Sequence, residues 1–402
     1  MTEKTTFSVS RILQKEWTHP RVNSLVFLYT FKKEISMAEL TEILAMAVQQ
    51  KASDVLLAPH QPANARINGV IRPLPGINPP DAAECKRWIF SALNPVQQKD
   101  FERDHELDFA FSVKGVGRFR TNVFLQAYGV AAAFRHIPGV IPTPEQIGLN
   151  QTILNFCNLP RGLVLVTGPT GSGKTSTLAS MIERINANQH KHILTIEDPI
   201  EFLYQSKNSL VNQREVGVHT GSFSRALKYA LRQNPDVILV GEMRDRETMA
   251  LALAAAETGH LCFSTLHTRD AASTVNRIIE EFPSDQQNSL RVILCSVLAG
   301  VICQTLLPRK GGGMACAREV MVMNPAVSKL IQDNKISQIN GAIETGAASG
   351  MFSLNQDLAK LVNSGQITME EAMLKSMDPQ MLQKLIAQTG TGNFGSFQSL
   401  TH

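Results

Sequence analysis

The residues with the clearest chemical purpose are Gly168-Pro-Thr-Gly-Ser-Gly-Lys-Thr175, which fit G-x-x-x-x-G-K-[ST] without mismatch. Gly171 and Gly173 permit close backbone approach, so that N–H groups can converge on an anion. Lys174 supplies a charge for the β- and γ-phosphates of a nucleotide, and the Thr175 hydroxyl suits Mg²⁺. The flanks agree with this chemistry. Leu163 to Thr167 is a short aliphatic and β-branched run of the buried parallel-strand type. Beyond Lys174, apolar Leu178, Met181, Ile182 and Ile185 recur at helical spacing. Strand, glycine turn and helix N-terminus together make a nucleotide-phosphate cradle. Its expected contacts are Gly168, Pro169, Thr170, Gly171, Ser172, Gly173, Lys174, Thr175 and the following Ser176.

After this helix, apolar strand-like runs alternate with helical patterns, which implies an α/β domain with a mainly parallel sheet and crossover helices. Ligands bind beyond the carboxyl ends of strands in such sheets, so acids found there matter. The strand-like stretch His192 to Glu201 ends in Glu197, Asp198 and Glu201. These either contact water or a metal, or cap a helix or line a solvated turn. A second aliphatic run, Val237 to Val240, ends at Gly241-Glu242. A carboxylate delivered beside a phosphate loop supports Mg²⁺ or polarises the attacking water; the plain alternative is a surface acid. Asp236, at the start of that run, is too far along it to share a metal with Glu242.

Arg246 to Gly259 reads as a helix stopped by glycine, and a further buried strand follows, bracketed by His260 and His267. Seven residues apart on a strand, the two histidines point to opposite faces and do not ligate one ion together. His267, at the carboxyl end, is the better phosphate contact, and His260 reads as a structural or interface residue. The helical stretch Phe223 to Gln233 carries Arg225, Lys228 and Arg232 along one side, either as a solvated face or as a contact in an oligomer.

The region before the phosphate loop is built differently. From Met37, the stripe Leu40, Ile43, Leu44, Ala47 and Val48 predicts a helix, with Ser36 and Glu39 as a capping box. Asp54 to Pro75 alternates apolar runs with turns around an Asn68-Gly69 hairpin signal, and 81–105 reads as helix. Asp108 to Pro138 holds three strand-like runs, broken at Lys114 to Gly117 and near Gly129. Residues 37–138 thus read as an α+β domain with an antiparallel sheet, and the proline-rich 139–148 as a stiff linker to an ATPase-type domain at 149–388. On its strands stand Arg118, Arg120 and Arg135, either facing solvent or reaching a nucleotide phosphate at a domain or subunit interface.

Residues 1–36 show no period and read as a poorly ordered extension, and the Gly/Ser-rich 389–402 as a disordered tail. Towards that tail the chain reads as helical: Ser284 to Leu306, Pro325 to Asp333, Leu354 to Ser364, and a stretch after Thr368 with Glu371 completing a capping box.

Bulk properties narrow the field. At 402 residues, 43% hydrophobic and 18% charged, the chain suits two globular domains. A net charge of +4 favours neither nucleic acid nor an anionic membrane as partner. The six cysteines include no C-x-x-C pair, so no zinc site or disulfide framework is expected. No stretch reaches the ~20 apolar residues of a membrane span; Val22 to Phe31 is too short. A cytoplasmic protein able to dock at a membrane is the resulting expectation.

The series GPTGSGKT, ILTIEDPIEF, NQREV, LRQNPDVILVGEMRDRET and AETGHLCFSTLHT resembles the secretion ATPases of type IV pilus and type II secretion systems, and within them the PilT-type pilus retraction ATPases. The resemblance covers Met37 to about Lys375. It implies a PAS-like α+β domain joined to a RecA-like P-loop ATPase domain, six copies forming a ring, with ATP and Mg²⁺ between the domains and a neighbour completing the site. It also implies Glu242 as catalytic base, Glu201 on the metal or water, His260 and His267 as the His-box pair, and Arg118, Arg120 and Arg135 as interdomain arginines. Lys174 and Thr175 keep the roles their motif gives them. The partner implied is a pilus platform protein at the cytoplasmic face of the inner membrane. Ala326 to Asp333 keeps the apolar spacing of the family's Ala-Ile-Arg-Asn-Leu-Ile-Arg-Glu element but lacks both arginines. Three further readings therefore stay open: an assembly ATPase, an ATP-binding accessory subunit in the ring of a paralogous motor, and a DNA-translocating motor.

Overall fold

A computed structural model describes residues 39–67, 69–137 and 139–389. The extension at 1–36, the Ser36 cap, Asn68 of the hairpin signal and residues 390–402 of the tail lie outside the described residues. The chain divides into two compact units between Ile137 and Pro138.

In the first unit, helix α1 (39–49) buries Leu40, Ile43, Leu44 and Ala47 of the expected stripe, and Val48 is half-buried. Strands β1 (Asp54–Leu57), β2 (Asn64–Ile67) and β3 (Val70–Pro73) follow, then helices α2 (Ala82–Ser91) and α3 (Pro95–Asp104). The single helix expected over 81–105 is thus two. Asn94 caps α3 in a full capping box with Gln97, and Pro95 occupies its first turn, which ends one helix and starts another. Strands β4 (Glu106–Val113), β5 (Gly117–Gln126) and β6 (Gly129–Ile137) complete an antiparallel sheet in the order β3-β2-β1-β6-β5-β4. Alternation divides its faces. Phe119, Thr121 and Val123 of β5 are buried, and the intervening Arg118, Arg120 and Asn122 lie on the other face.

The second unit opens with α4 (Gln151–Phe156), β7 (Gly162–Thr167), α5 (Lys174–Asn188), β8 (His192–Glu197) and β9 (Leu210–Glu215). It continues through α6 (Phe223–Ala230), β10 (Val237–Val240), α7 (Arg246–Glu257), β11 (Leu261–Leu266), α8 (Ala271–Glu280) and α9 (Gln287–Val297). Strands β12 (Leu298–Pro308) and β13 (Met314–Val322) precede α10 (Pro325–Gln332), α11 (Ile339–Glu344), α12 (Leu354–Asn363), α13 (Met369–Lys375) and α14 (Pro379–Thr389). The seven strands order as β13-β12-β7-β11-β10-β8-β9. All neighbours pair in parallel except β12 and β13. The parallel strands β7, β10 and β11 are buried along their whole length, the reason they read as unbroken apolar runs.

Two expectations about the C-terminal region are corrected. The long helix over Ser284 to Leu306 is a helix over Gln287–Val297 followed by strand β12, and β13 lies in a region expected to be helical. Val301 and Ile302 are fully buried, and a run buried at nearly every position from Leu298 to Gln304 carries no period to separate strand from helix. Gly300 stands where the strand passes closest to its neighbours. A Cβ there would lie 2.2 Å from the Phe156 ring and 2.8 Å from the Met321 carbonyl. The capping box after Thr368 is half present: the Thr368 hydroxyl accepts from the Glu371 N–H.

The β12–β13 hairpin also carries buried charge. Arg318, opposite Gln304 in the ladder, is 4% exposed and donates to the carbonyls of Gly148 (3.1 Å) and Ile147 (2.8 Å). Next to it, Glu319 accepts from the Ala271 N–H at 2.8 Å, and its burial pushes its carboxyl up to about 7. A folded-state value above the ordinary carboxylate range means that the folded protein keeps this proton longer than the unfolded chain. Stability from this group is therefore greatest at low pH and falls as pH rises from about 4.5 through about 7. Glu319→Gln keeps the acceptor without the charge. The melting temperature of that variant is expected to decline less between pH 5 and 8 than the parent's, a difference worth up to about 3 kcal/mol.

Candidate nucleotide site

The phosphate-loop sequence folds as its glycines require. Gly168 (φ 138°) leaves β7 where a Cβ would meet the Gln304 carbonyl at 2.3 Å and the Ser172 Oγ at 2.7 Å. Gly173 (φ 87°) sits in the left-handed region as the residue before α5, so the first N–H groups of that helix open onto the loop. Lys174 Nζ donates to the Gly168 carbonyl at 2.8 Å and to the Pro169 carbonyl at 3.1 Å. Ser172 is 2% exposed, and its Oγ has no hydrogen-bond partner among the described residues. Pro169, Thr170 and Gly171 form the exposed tip, and Thr175 and Ser176 are half-buried in the first turn of α5.

Three neighbouring strands, β8, β10 and β11, bring Glu197, Glu242 and His267 to the same end of the sheet. Burial draws the Lys174 ammonium below its ordinary pKa, and the negative fields of Glu242 and Glu201 oppose that shift. Both carboxylates therefore act on the loop's lysine. Glu242 follows β10 and is oriented from two sides: Arg244 Nε donates to its Oε2 at 2.9 Å, and His267 Nε2, just beyond β11, lies 2.9 Å from its Oε1. Gly241 is pinned at this point, its N–H on the Ile196 carbonyl at 2.7 Å and its carbonyl on the Thr265 hydroxyl at 2.7 Å.

Of the three carboxylates expected at the end of the strand beginning at His192, only Glu197 lies on β8, which stops there. Glu197 is 7% exposed and accepts from the Thr195 hydroxyl at 2.6 Å; burial pushes it up to about 7. Asp198 is exposed, and Glu201 lies half-buried on the following loop.

The structure separates His260 from this cluster. It precedes β11, at the end opposite His267, and its Nδ1 meets the Ala255 carbonyl at 2.9 Å, at the carboxyl end of α7. A strand of this length spans about 20 Å. Asp236 likewise stays at the far end of β10, accepting from the His192 N–H at 2.8 Å and from Lys191 at 3.3 Å. Arg225, Lys228 and Arg232 are exposed.

In the first unit, Arg120 and Arg135 are direct cross-strand partners on β5 and β6. Like charges so placed need an acid, and Asp54 supplies it, accepting from Arg135 Nε at 2.9 Å. With Asp108, Asn122 and Ala133 these three line an open cavity of about 230 Å³. Arg118, one pleat on, reaches the Ser112 hydroxyl at 3.3 Å.

One residue that supports the loop escapes a reading by motif. Gln304 of β12 is 4% exposed; it accepts from the Thr177 hydroxyl at 2.9 Å and donates to the Ser172 carbonyl at 2.7 Å, tying the loop to the first turns of α5. Next to it, Thr167 donates to the Cys303 sulfur at 3.1 Å. The signal available in the sequence was a lone amide within an apolar run, which a helical reading of that run conceals.

A parallel sheet with a glycine-rich phosphate loop, and acids beyond the adjoining strands, defines a P-loop enzyme of RecA-like architecture preceded by an α+β unit. The chain belongs to the type II/IV secretion system protein family, which matches residues 32–393. Among curated relatives it is similar to the type IV pilus retractation ATPase PilT of Pseudomonas aeruginosa, 47% identical over 342 residues that cover 85% of this chain and 99% of the relative. It is likewise similar to a twitching motility protein of Neisseria gonorrhoeae, 48% identical over 320 residues, 79% of this chain and 85% of that one. Among solved structures, the pilus retraction motor PilT with bound ADP superposes with a TM-score of 0.80 at 45% identity, covering 86% of this chain and 98% of that one. No helix among the described residues is long and apolar enough to cross a membrane.

Proposed function

We propose that this protein is a ring-forming motor ATPase that hydrolyses ATP to power retraction of a type IV pilus, working at the cytoplasmic face of the inner membrane against a pilus platform protein. The observation that carries this reading is the glycine loop that holds Lys174 beyond β7, with Glu242 beyond β10 of the same sheet, fixed there by Arg244 and His267. A lysine held in a glycine loop, with acids at the same end of the sheet, is the arrangement that phosphoryl transfer to water needs. Support for the substrate comes from the relatives: the matched solved motor holds ADP, and the curated relatives are named for pilus retraction and twitching motility.

In this reading, the loop N–H groups, the Ser172 hydroxyl and Lys174 hold the β- and γ-phosphates. The oxygen donors of Thr175 and Glu201 suit Mg²⁺, which would neutralise charge on the phosphates when bound. Glu242, aimed by His267 and Arg244, accepts a proton from water as the water oxygen bonds to the γ-phosphorus and the β–γ bridging bond breaks. The products are ADP and phosphate. His260 serves as a structural residue at the end of α7. Arg118, Arg120 and Arg135 are the groups we assign to charge neutralisation across an interface in a ring of six copies, where Asp54 holds Arg135 in readiness.

The test is genetic and visual. Deleting the gene in its host is expected to abolish surface motility while leaving surplus surface fibres. Loss of the fibres themselves would instead assign the protein to assembly, and unchanged fibres and movement would remove it from the pilus machine.

A further inference from the structure

The loop that carries Glu201 is held by side chains from the neighbouring edge strand. Strand β9 lies at the border of the second sheet, paired in parallel with β8 so that Gln213 stands beside Thr195 and Glu215 beside Glu197. From there Gln213 makes three contacts. Its Oε1 accepts from the Tyr204 N–H at 2.8 Å, and its Nε2 donates to the Phe202 carbonyl at 2.8 Å and to Glu197 Oε1 at 3.2 Å. One pleat further, Glu215 is 5% exposed and accepts from the Ile200 N–H at 3.0 Å. Ile200, Phe202 and Tyr204 are thus each tied to a polar side chain of β9, and Ile200 and Phe202 are buried on either side of Glu201.

We infer that Gln213 and Glu215 are positioning residues for Glu201: they fix the loop on both sides of it so that its carboxylate faces the phosphate loop. The inference rests on the proposed role of Glu201 and extends it to the edge strand beside β8. A side chain that fixes a ligand-bearing loop acts like other outer-shell partners, whose loss costs about 10–100-fold in metal affinity or activity.

Gln213→Met keeps the length of the side chain and removes all three contacts. Measured on the full-length protein by steady-state phosphate release, it is expected to lower kcat about 10–100-fold and raise the Mg²⁺ concentration for half-maximal rate. Affinity for a fluorescent ATP analogue stays near that of the parent. Glu215→Leu should behave alike, while Glu215→Gln, which keeps a carbonyl for the Ile200 N–H, retains most of the turnover that Glu215→Leu loses. In a Glu201→Gln background, Gln213→Met adds no further loss, because the group it positions is already gone. Parent-like kcat in Gln213→Met, or losses that multiply in the double variant, overturn the inference. Loss of nucleotide affinity together with kcat does the same. Should Gln213→Met not fold, the comparison of Glu215→Leu with Glu215→Gln decides. Parent-like turnover in Glu201→Gln alone is a different result, and removes the role of Glu201 itself.

Discussion

Phosphate release by the Lys174→Ala protein is expected to fall to background, a loss of at least about 10²-fold, with the melting temperature little changed. Two features set the size of this effect. Lys174 Nζ is held by the Gly168 and Pro169 carbonyls at 2.8 and 3.1 Å, so the loop already presents it as a fixed point charge. Its charge is also favoured by the fields of Glu201 and Glu242. Without it, a bound triphosphate would confront two carboxylates with no lysine between them, and both binding and transfer suffer. Turnover within tenfold of the parent would mean that the lysine is a structural strut of its own loop.

Glu242→Gln is expected to separate binding from chemistry. The amide is close in shape and can still accept from Arg244 Nε, so the fold and the nucleotide affinity persist. What it cannot do is take a proton from water. Loss of a positioned general base costs about 10²–10⁴-fold, and phosphate release should fall by that factor while a fluorescent nucleotide binds as before. Parent-like turnover in this variant would take Glu242 out of the reaction.

Much of this site is legible in the sequence because its parts are contiguous. The phosphate loop, the strand before it and the helix after it occupy neighbouring positions, and each obeys a local rule: buried aliphatic run, glycine turn, helical spacing. Glu242 is legible for the same reason, as the acid at the end of an apolar run. Less legible is what lies sideways in the sheet. Gln304, Gln213 and Glu215 reach the site from β12 and β9, and nothing in their own neighbourhoods announces it. The region after α8 misleads because its second apolar run is buried on both faces, which erases the period that would tell strand from helix. In the first unit, the turn residues between short apolar runs were enough to find the strands, because antiparallel neighbours are joined by tight local turns.

The support under the phosphate loop has a consequence for how the protein is made. The Thr177–Gln304 contact joins residues 127 positions apart, and the Ser172–Gln304 contact 132. A growing chain therefore emits the whole nucleotide motif long before the strand that braces it, and closing so long a span is entropically slow. Until β12 emerges, the loop lacks the Gln304 contacts that tie it to α5, so the braced form of the motif is a late product of synthesis.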